Sequence, residues 1–307
     1  MIMHTISDPQ APAMEAPTGI QLSLSQVSKV FPGKRGMFNR QSSPDFVAID
    51  EVSLDIEHNT FVTIIGPSGC GKSTLLNIIG GLSEATTGTV TMDNQPVTGP
   101  GPDRGMVFQN YALMPWMTVA GNIGFAVETV YPKLSKARIK QIVSENIELV
   151  DLIGAERKYP HELSGGMRQR VGIARALAIN PKVLLMDEPF GALDALTRGY
   201  LQEEIERIWE QHRKTVIMIT HSIDEALLLS DKIVMMTRGP AAKIAQILDV
   251  PFPRPRDRNS VEHHPAYDGL RTEMEAHLYR ETRYVEQSRI QAKDRSSNTD
   301  TSKDDLL

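Results

Sequence analysis

The sequence predicts an α/β fold with a mainly parallel sheet at its core, an antiparallel β portion at the N-terminal end and a helical subdomain. Apolar segments of strand length alternate with helical segments at residues 61–79 and again at 182–237. Such alternation predicts a parallel sheet covered by helices on both faces. The intervening residues, about 111–170, have a mostly helical pattern, which predicts a separate helical subdomain.

The predicted elements follow one another along the whole central part of the chain. Predicted strands cover residues 21–30, 46–56, 61–65, 89–92, 105–109, 182–186, 215–220 and 232–237. Predicted helices cover residues 72–79, much of 119–180, 195–212 and 223–230. The first strand alternates apolar and polar residues, whereas 61–65 and 182–186 are almost wholly apolar, as in strands buried on both faces.

Composition excludes several classes of protein. The 307 residues are 40% hydrophobic and 23% charged, which is typical of a soluble protein with a sizeable core. The net charge of −5 argues against nucleic acid as a partner. No apolar run reaches the length of about 18 residues that a membrane span needs. The single cysteine, Cys70, excludes an internal disulfide or a cysteine metal cluster and favours a cytosolic compartment.

The two ends of the chain differ in composition from the central part at residues 20–250. Residues 1–19 are predicted to be a disordered leader, and they carry acidic residues and no apolar core, unlike a signal peptide. Residues 251–292 form a predicted C-terminal extension. Its Pro/Arg segment at 251–256 is extended and is interpreted as a stiff, solvated connector, followed by a polar helix from about 266 to 291. Residues 293–307 are a predicted disordered tail.

One phosphate-binding motif organises the sequence. The pattern G-x-x-x-x-G-K-[ST] follows a predicted strand and opens a predicted helix, which is the setting that a P-loop requires. Its residues are Gly66, Pro67, Ser68, Gly69, Cys70, Gly71, Lys72, Ser73 and Thr74. Glycines let backbone N–H groups approach phosphate oxygens, Lys72 supplies a positive charge to the β- and γ-phosphates, and the Ser73 hydroxyl can hold Mg²⁺. The alternative is an ordinary glycine-rich turn before a helix.

The cysteine within this motif has two interpretations. Cys70 can be a small residue that fills space in the loop. A redox role is the weaker alternative, because a helix N-terminus can lower the pKa of a thiol.

Two carboxylates end a buried strand further along the chain. The apolar run at 183–186 is followed by Asp187 and Glu188. Such a strand delivers Asp187 to the sheet edge beside the P-loop, where it can hold Mg²⁺, while Glu188 can polarise an attacking water. The alternative is a strand end followed by two solvated acids.

A second glycine-rich helix start lies upstream of these carboxylates. Ser164, Gly165 and Gly166 open a predicted helix, whose N-terminus is suited to phosphate. Two copies of the chain, placed head to tail, would let this helix close on a γ-phosphate bound by the other copy. The alternative is a helix N-cap with glycines for close packing.

The order of the P-loop, Gln109, LSGGMRQR, LLMDEP and His221 resembles the ATP-binding subunit of ABC transporters over about residues 20–250. The resemblance implies the ABC ATPase fold with ATP and Mg²⁺ as cofactors. It implies that Phe31 stacks on adenine, that Gln109 approaches Mg²⁺, that Ser164, Gly165 and Gly166 cap ATP across a dimer, that Asp194 lies in the D-loop, and that His221 contacts the γ-phosphate. The predicted catalytic residues are Glu188, His221, Gln109 and Lys72, and the predicted metal ligands are Ser73, Gln109 and Asp187.

Each matched residue also has a plainer interpretation. Phe31 can be core packing, Gln109 can end a strand in solvent, and His221 can be a buried, hydrogen-bonded histidine. The apolar and aromatic residues of segment 111–117 are expected to be exposed and to receive a permease helix, with Trp116 at their centre.

The resemblance also implies partners. These are a second ATPase subunit (a second copy or a close paralogue), integral membrane permease subunits and a periplasmic or lipid-anchored solute-binding protein, and no nucleic acid. The expected location is peripheral, on the cytoplasmic face of the inner membrane.

The segments 108–119, 238–244, 250–258 and 264–271 resemble importers of small oxyanions and sulfonates, and nitrate transport ATPases above all. Cyanate, bicarbonate and taurine or alkanesulfonate remain alternatives. Some of these ATPases carry a large C-terminal solute-binding domain, for which this sequence is too short. A soluble ABC ATPase of DNA repair or translation is a different-class alternative, but the sequence lacks a heptad run, zinc-binding cysteines and a second P-loop.

Overall fold

The computed structural model describes residues 19–33 and 44–298, with side chains of the last helix described to residue 282. The predicted leader, apart from residue 19, and the predicted tail from residue 299 onward lie outside the described residues. The tail prediction needs one correction, because the last helix continues through residues 293–298.

Ten strands form two sheets among the described residues. In chain order they are β1 (Ile20–Phe31), β2 (Phe46–Glu57), β3 (Phe61–Ile65), β4 (Thr87–Met92), β5 (Gln95–Pro96), β6 (Arg104–Val107), β7 (Val183–Asp187), β8 (Thr215–Ile219), β9 (Lys232–Met236) and β10 (Ile244–Asp249). The first sheet has the order β2-β1-β4-β5, and all its strands are antiparallel. The predicted N-terminal antiparallel portion is therefore confirmed.

The second sheet has the order β10-β9-β3-β8-β7-β6 and is parallel except for β10. Strands β3 and β8 lie in its centre and are buried along their whole length. Because parallel strands end at the same sheet edge, the residues that follow β3, β6, β7 and β8 come together there. β10 has no counterpart among the predicted strands, and most of its residues are exposed or half-buried.

The helices cover both faces of the parallel sheet. In chain order they are α1 (Lys72–Ile79), α2 (Val119–Val130), α3 (Lys136–Leu149), a single 3₁₀ turn (Pro160–Glu162), α4 (Gly165–Ala178), α5 (Ala195–His212), α6 (Ile223–Leu229), α7 (Arg258–Glu262) and α8 (Tyr267–Asn298). Helices α2, α3 and α4 pack against one another as the expected helical subdomain. None of the helices in the described part of the chain has the length and apolar character needed to cross a bilayer.

Alternate side chains of β3 enter two different cores. Phe61 and Ile65 belong to the core shared with the helical subdomain and α5. Val62 and Ile64 belong to the core shared with α1 and the antiparallel sheet. The strand that leads into the P-loop is thus packed on both faces, which gives the loop a rigid base.

The Pro/Arg segment is not a solvated connector, so that interpretation is wrong. The side chains of Arg254 and Arg256 are almost fully buried. Arg254 donates to Glu206 over 2.6 Å and to Asp231 over 2.9 Å. Arg256 donates to the backbone carbonyl of Ser230 over 2.6 Å. The two guanidinium groups therefore bind the extension to the end of the sheet opposite the P-loop.

Candidate active site

The phosphate loop connects β3 to α1 and is shaped by its glycines. Gly69 and Gly71 have φ of 78° and 97°, in the left-handed region that favours glycine. A Cβ on Gly71 would also lie 2.7 Å from a methyl carbon of Ile49, too close for any side chain. The loop thus has the tight bend that aims backbone N–H groups at an anion at the start of α1.

The buried side chains of the loop are held by its own backbone. Lys72 donates through Nζ to the carbonyls of Gly66 over 2.8 Å and of Pro67 over 3.0 Å. Cys70 is fully buried, and burial raises the pKa of its thiol, so the thiol stays protonated at neutral pH. A buried, protonated thiol favours the space-filling interpretation of Cys70 over a redox role.

An oxygen-rich pair joins the loop to β7. Ser73 Oγ donates to Asp187 Oδ1 over 3.1 Å. Burial raises the pKa of Asp187, and the hydrogen bond from Ser73 and the charge of Lys72 only partly oppose that rise. A hydroxyl and a carboxylate are hard oxygen ligands of the kind that Mg²⁺ prefers, so these residues fit that ion.

Glu188 lies between two residues that follow neighbouring strands. Its Oε2 accepts from Gln109 Nε2 over 2.9 Å, and its Oε1 lies 2.5 Å from His221 Nε2. Gln109 follows β6 and His221 follows β8, on either side of β7. Gln109 is exposed but its amide binds Glu188, and the His221 side chain is 45% exposed, so it is not a buried histidine.

Several of these groups line one open cleft of about 380 Å³. Its walls include Ser68, Gly69 and residues 71–74 of the P-loop, Glu188, His221 and two aromatic residues of the antiparallel sheet. One is Phe31, which is 43% exposed and therefore not core packing. The other is Phe46, which sequence analysis missed. It lies directly opposite Phe31 in the β1–β2 register, so the pairing of the two predicted strands was the signal that could have found it.

Eight of the predicted nucleotide-binding residues do not line this cleft. Gly66, Pro67 and Cys70 belong to the P-loop itself, and Gln109 binds Glu188. The other four lie at the starts of α4 and α5 and are Ser164, Gly165, Gly166 and Asp194. Ser164 caps α4 by accepting from the N–H of Met167 over 3.3 Å. Asp194 caps α5 by accepting from the N–H of Thr197, and these hydrogen bonds lower the pKa of Asp194. Within one chain Ser164 and Asp194 are therefore helix N-caps, Gly165 and Gly166 are the first residues of α4, and none of the four lines the chain's own cleft.

The segment after Gln109 is attached to the helix that Ser164 caps. Arg175 of α4 donates to the carbonyls of Tyr111 and Ala112 over 3.2 and 2.6 Å. The guanidinium of Arg168 lies 5.3 Å from the centre of the Tyr111 ring. Trp116 projects beyond these contacts with 72% of its surface exposed.

A family model described as ABC transporter matches residues 49–191. The chain is 53% identical over 259 residues to the nitrate import ATP-binding protein NrtD of Synechococcus elongatus, covering 84% of this chain and 92% of that protein. It is 54% identical over 238 residues to the bicarbonate transport ATP-binding protein CmpC of Synechocystis sp., covering 78% of this chain. It spans only 36% of the length of that CmpC, and 36% of the nitrate import ATP-binding protein NrtC of S. elongatus.

The same family appears among solved structures. The chain resembles the dimeric post-hydrolysis state of the ATP-binding cassette MJ0796 bound to ADP and phosphate, with a TM-score of 0.64 and 31% identity. That match covers 75% of this chain and 98% of the cassette. With a P-loop, a carboxylate pair and a capped helix in the arrangement described above, the chain belongs to the ABC transporter family, among its ATP-binding proteins.

Proposed function

We propose that the chain is the ATP-hydrolysing subunit of an importer of a small anion, with nitrate as the anion. The observation that carries the ATPase function is the cleft in which the P-loop faces Glu188, itself held between Gln109 and His221. Nitrate is favoured because NrtD is 53% identical over 92% of its length, against 48% over 90% for the bicarbonate protein CmpD of the same organism. Bicarbonate is the second candidate, since CmpC proteins reach 54% identity over part of their length.

The cleft residues divide the binding of ATP between them. Phe31 and Phe46 offer ring faces to the adenine, and the N–H groups of the P-loop bind the phosphates. Lys72 exchanges its two backbone carbonyls for phosphate oxygens. Ser73 and Asp187 would hold Mg²⁺, with Gln109 as a further ligand, and the bound ion would supply positive charge to the phosphates.

Glu188 is the residue that activates water. Its carboxylate is oriented by two donors, the amide of Gln109 and the imidazole of His221. It can accept a proton from a water aligned with the γ-phosphate, while His221 donates to a phosphate oxygen. These contacts form because β6, β7 and β8, which precede Gln109, Glu188 and His221, all end at the same edge of the sheet.

A second subunit completes each site. Ser164, Gly165, Gly166 and Asp194 lie at helix starts and do not line their own cleft, so we assign them to the nucleotide of the partner subunit, which is a second copy or a close paralogue. Permease subunits bind the exposed segment around Trp116, which places the protein peripherally on the cytoplasmic face of the membrane. A periplasmic or lipid-anchored solute-binding protein delivers the anion.

Nitrate uptake in a strain that lacks the gene tests the proposal. Wild-type protein and Glu203→Gln should restore uptake, because Glu203 is exposed on α5 and outside the cleft. Glu188→Gln should not restore it, and its purified form should bind ATP but hydrolyse it about 10²–10⁴ times more slowly. Bicarbonate, cyanate and taurine uptake are measured in parallel. Unchanged nitrate uptake in the deletion strain would reject nitrate, and normal hydrolysis by Glu188→Gln would reject the role of Glu188.

A further inference from the structure

Two residues on one face of α8 bind the last residue of β9 and the segment that follows it. His277 and Glu281 are one helical turn apart and therefore share a face. His277 is buried, and its Nε2 lies 3.1 Å from the carbonyl oxygen of Met236. The N–H of Arg238 donates to Glu281 Oε2 over 2.8 Å. The C-terminal extension thus supplies hydrogen-bond partners for the backbone of Met236 and Arg238, at the end of β9 and just beyond it.

The segment held in this way lies directly against the phosphate loop. A Cβ on Gly66 would be 3.1 Å from Met236 Cβ and 3.2 Å from its carbonyl oxygen. A Cβ on Gly239 would be 3.0 Å from the carbonyl oxygen of Gly69. At both places the backbone of the segment lies close to the backbone of the loop, and at Gly66 the same space is also bounded by the buried Sγ of Cys70. Because such close packing leaves little room, a displacement of the segment would displace the loop.

The start of α8 is attached to helix α6, which follows the cleft residue His221 in the chain. Asp224 of α6 accepts from Tyr267 Oη over 3.1 Å and pairs with Arg271. Met274, between these contacts and His277, is fully buried. Helix α6 begins two residues after His221. Helix α8 therefore contacts both the segment that packs on the P-loop and helix α6, which follows His221.

We propose that α8 positions the phosphate loop for nucleotide, with His277 and Glu281 as the positioning residues. They do not touch the nucleotide and act through the segment Met236–Gly239. The negative charge of Glu281 also adds to the raised pKa of Cys70, consistent with a carboxylate close behind the loop. The proposal rests on the nucleotide site of the proposed function and extends that site to the C-terminal extension.

The test is the affinity of the full-length chain for Mg·ADP, measured by titration calorimetry, together with KM and kcat for ATP. Glu281→Ala leaves the N–H of Arg238 without its carboxylate, and we expect Kd and KM to rise about five- to tenfold with kcat changed by less than about twofold. Glu281→Gln keeps an acceptor oxygen and should restore most of the affinity. Glu273→Ala is the matched control, because Glu273 also lies on α8 but accepts from Gln246 of β10.

The affinities of the variants for Mg·ADP decide between support and rejection of the proposal. Weaker binding by Glu281→Ala, with Glu281→Gln and Glu273→Ala near the wild type, supports the proposal. Equal affinity in Glu281→Ala and wild type overturns it, as does an equal loss in Glu281→Ala and Glu273→Ala. If Glu281→Ala does not fold, His277→Leu is measured instead, since leucine fills similar space but cannot donate to Met236, and unchanged affinity overturns the proposal. A wild-type chain that does not bind Mg·ADP would instead refute the proposed function.

Discussion

Replacing Arg254 by alanine tests how the C-terminal extension is held. The guanidinium donates to Glu206 over 2.6 Å, to Asp231 over 2.9 Å and to the carbonyl of Leu229 over 2.7 Å. It also lies 3.9 Å from the centre of the Trp209 ring. The side chains of Arg254 and Glu206 are only 8% and 6% exposed, so water cannot replace the lost partner of Glu206.

The expected loss of stability follows from this burial. Removing one partner of a buried ion pair costs about 3–5 kcal/mol, because the other charge is left buried and uncompensated. At this chain length each kcal/mol shifts the melting temperature by about 2–4 °C, so Arg254→Ala should lower Tm by on the order of 10 °C. Thermal unfolding followed by circular dichroism measures the shift.

Arg213→Ala is the matched control for this experiment. The guanidinium of Arg213 also lies near the Trp209 ring, 4.6 Å from its centre, and pairs with Glu210 over 2.7 Å. Its side chain is 51% exposed, and exposed pairs contribute only about 0–1 kcal/mol. If Arg254→Ala loses no more stability than Arg213→Ala, the buried ion pair does not hold the extension.

The pH dependence separates lost charge from lost packing. Burial raises the pKa of Glu206 above 4.5, and Arg254 opposes that rise, so Arg254→Ala should raise this pKa further. Above pH 4.5 the folded variant then binds more protons than the unfolded chain, and its stability falls as pH rises through that window. The deficit of the variant should therefore be larger at pH 8 than at pH 5. A deficit independent of pH would indicate lost packing alone.

Two further predictions concern the exposed surface and a half-buried histidine. Trp116→Ala should abolish most transport, while ATP hydrolysis by the purified chain stays within about twofold of the wild type, because the exposed ring supports no core. Ile247→Ala, on exposed β10, is the control. Normal uptake by Trp116→Ala would contradict the assignment of this segment to the permease. Burial lowers the pKa of His212 below 6.5, so stability is lost as pH falls below that value, when the unfolded chain takes up the proton. His212→Gln should flatten the fall in Tm between pH 7.5 and 5.5, whereas exposed His263→Gln should retain it; equal slopes in all three proteins would refute this role of His212.

Much of the nucleotide site was predictable because its signals are short and local. The P-loop, its strand and its helix occupy contiguous residues, and the glycines of the motif match the positive φ of Gly69 and Gly71. The pairing of Glu188 with Gln109 and His221 follows less directly, since each residue lies at the end of a different strand. This pairing was still predictable in outline, because the carboxyl ends of parallel strands lie at one edge of the sheet.

Two features depended on contacts between residues far apart in the chain. Phe46 joins the cleft through its register with Phe31. Arg254 is buried because Glu206 of α5 and Asp231, just before β9, lie close enough to accept from it. An arginine flanked by prolines has the local pattern of a solvated linker, and nothing in that pattern reveals a distant buried carboxylate.

The sequence by itself determined that this chain binds the phosphates of a nucleotide, because a P-loop is a local backbone geometry imposed by glycines and a helix start. Only the tertiary structure decided what lies behind that loop. The contacts of His277 with Met236 and of Glu281 with Arg238 join residues more than 40 positions apart. Their formation depends on how α8 packs against the sheet and α6. That packing is set by the buried area and the complementary shape of surfaces that exist only in the folded chain.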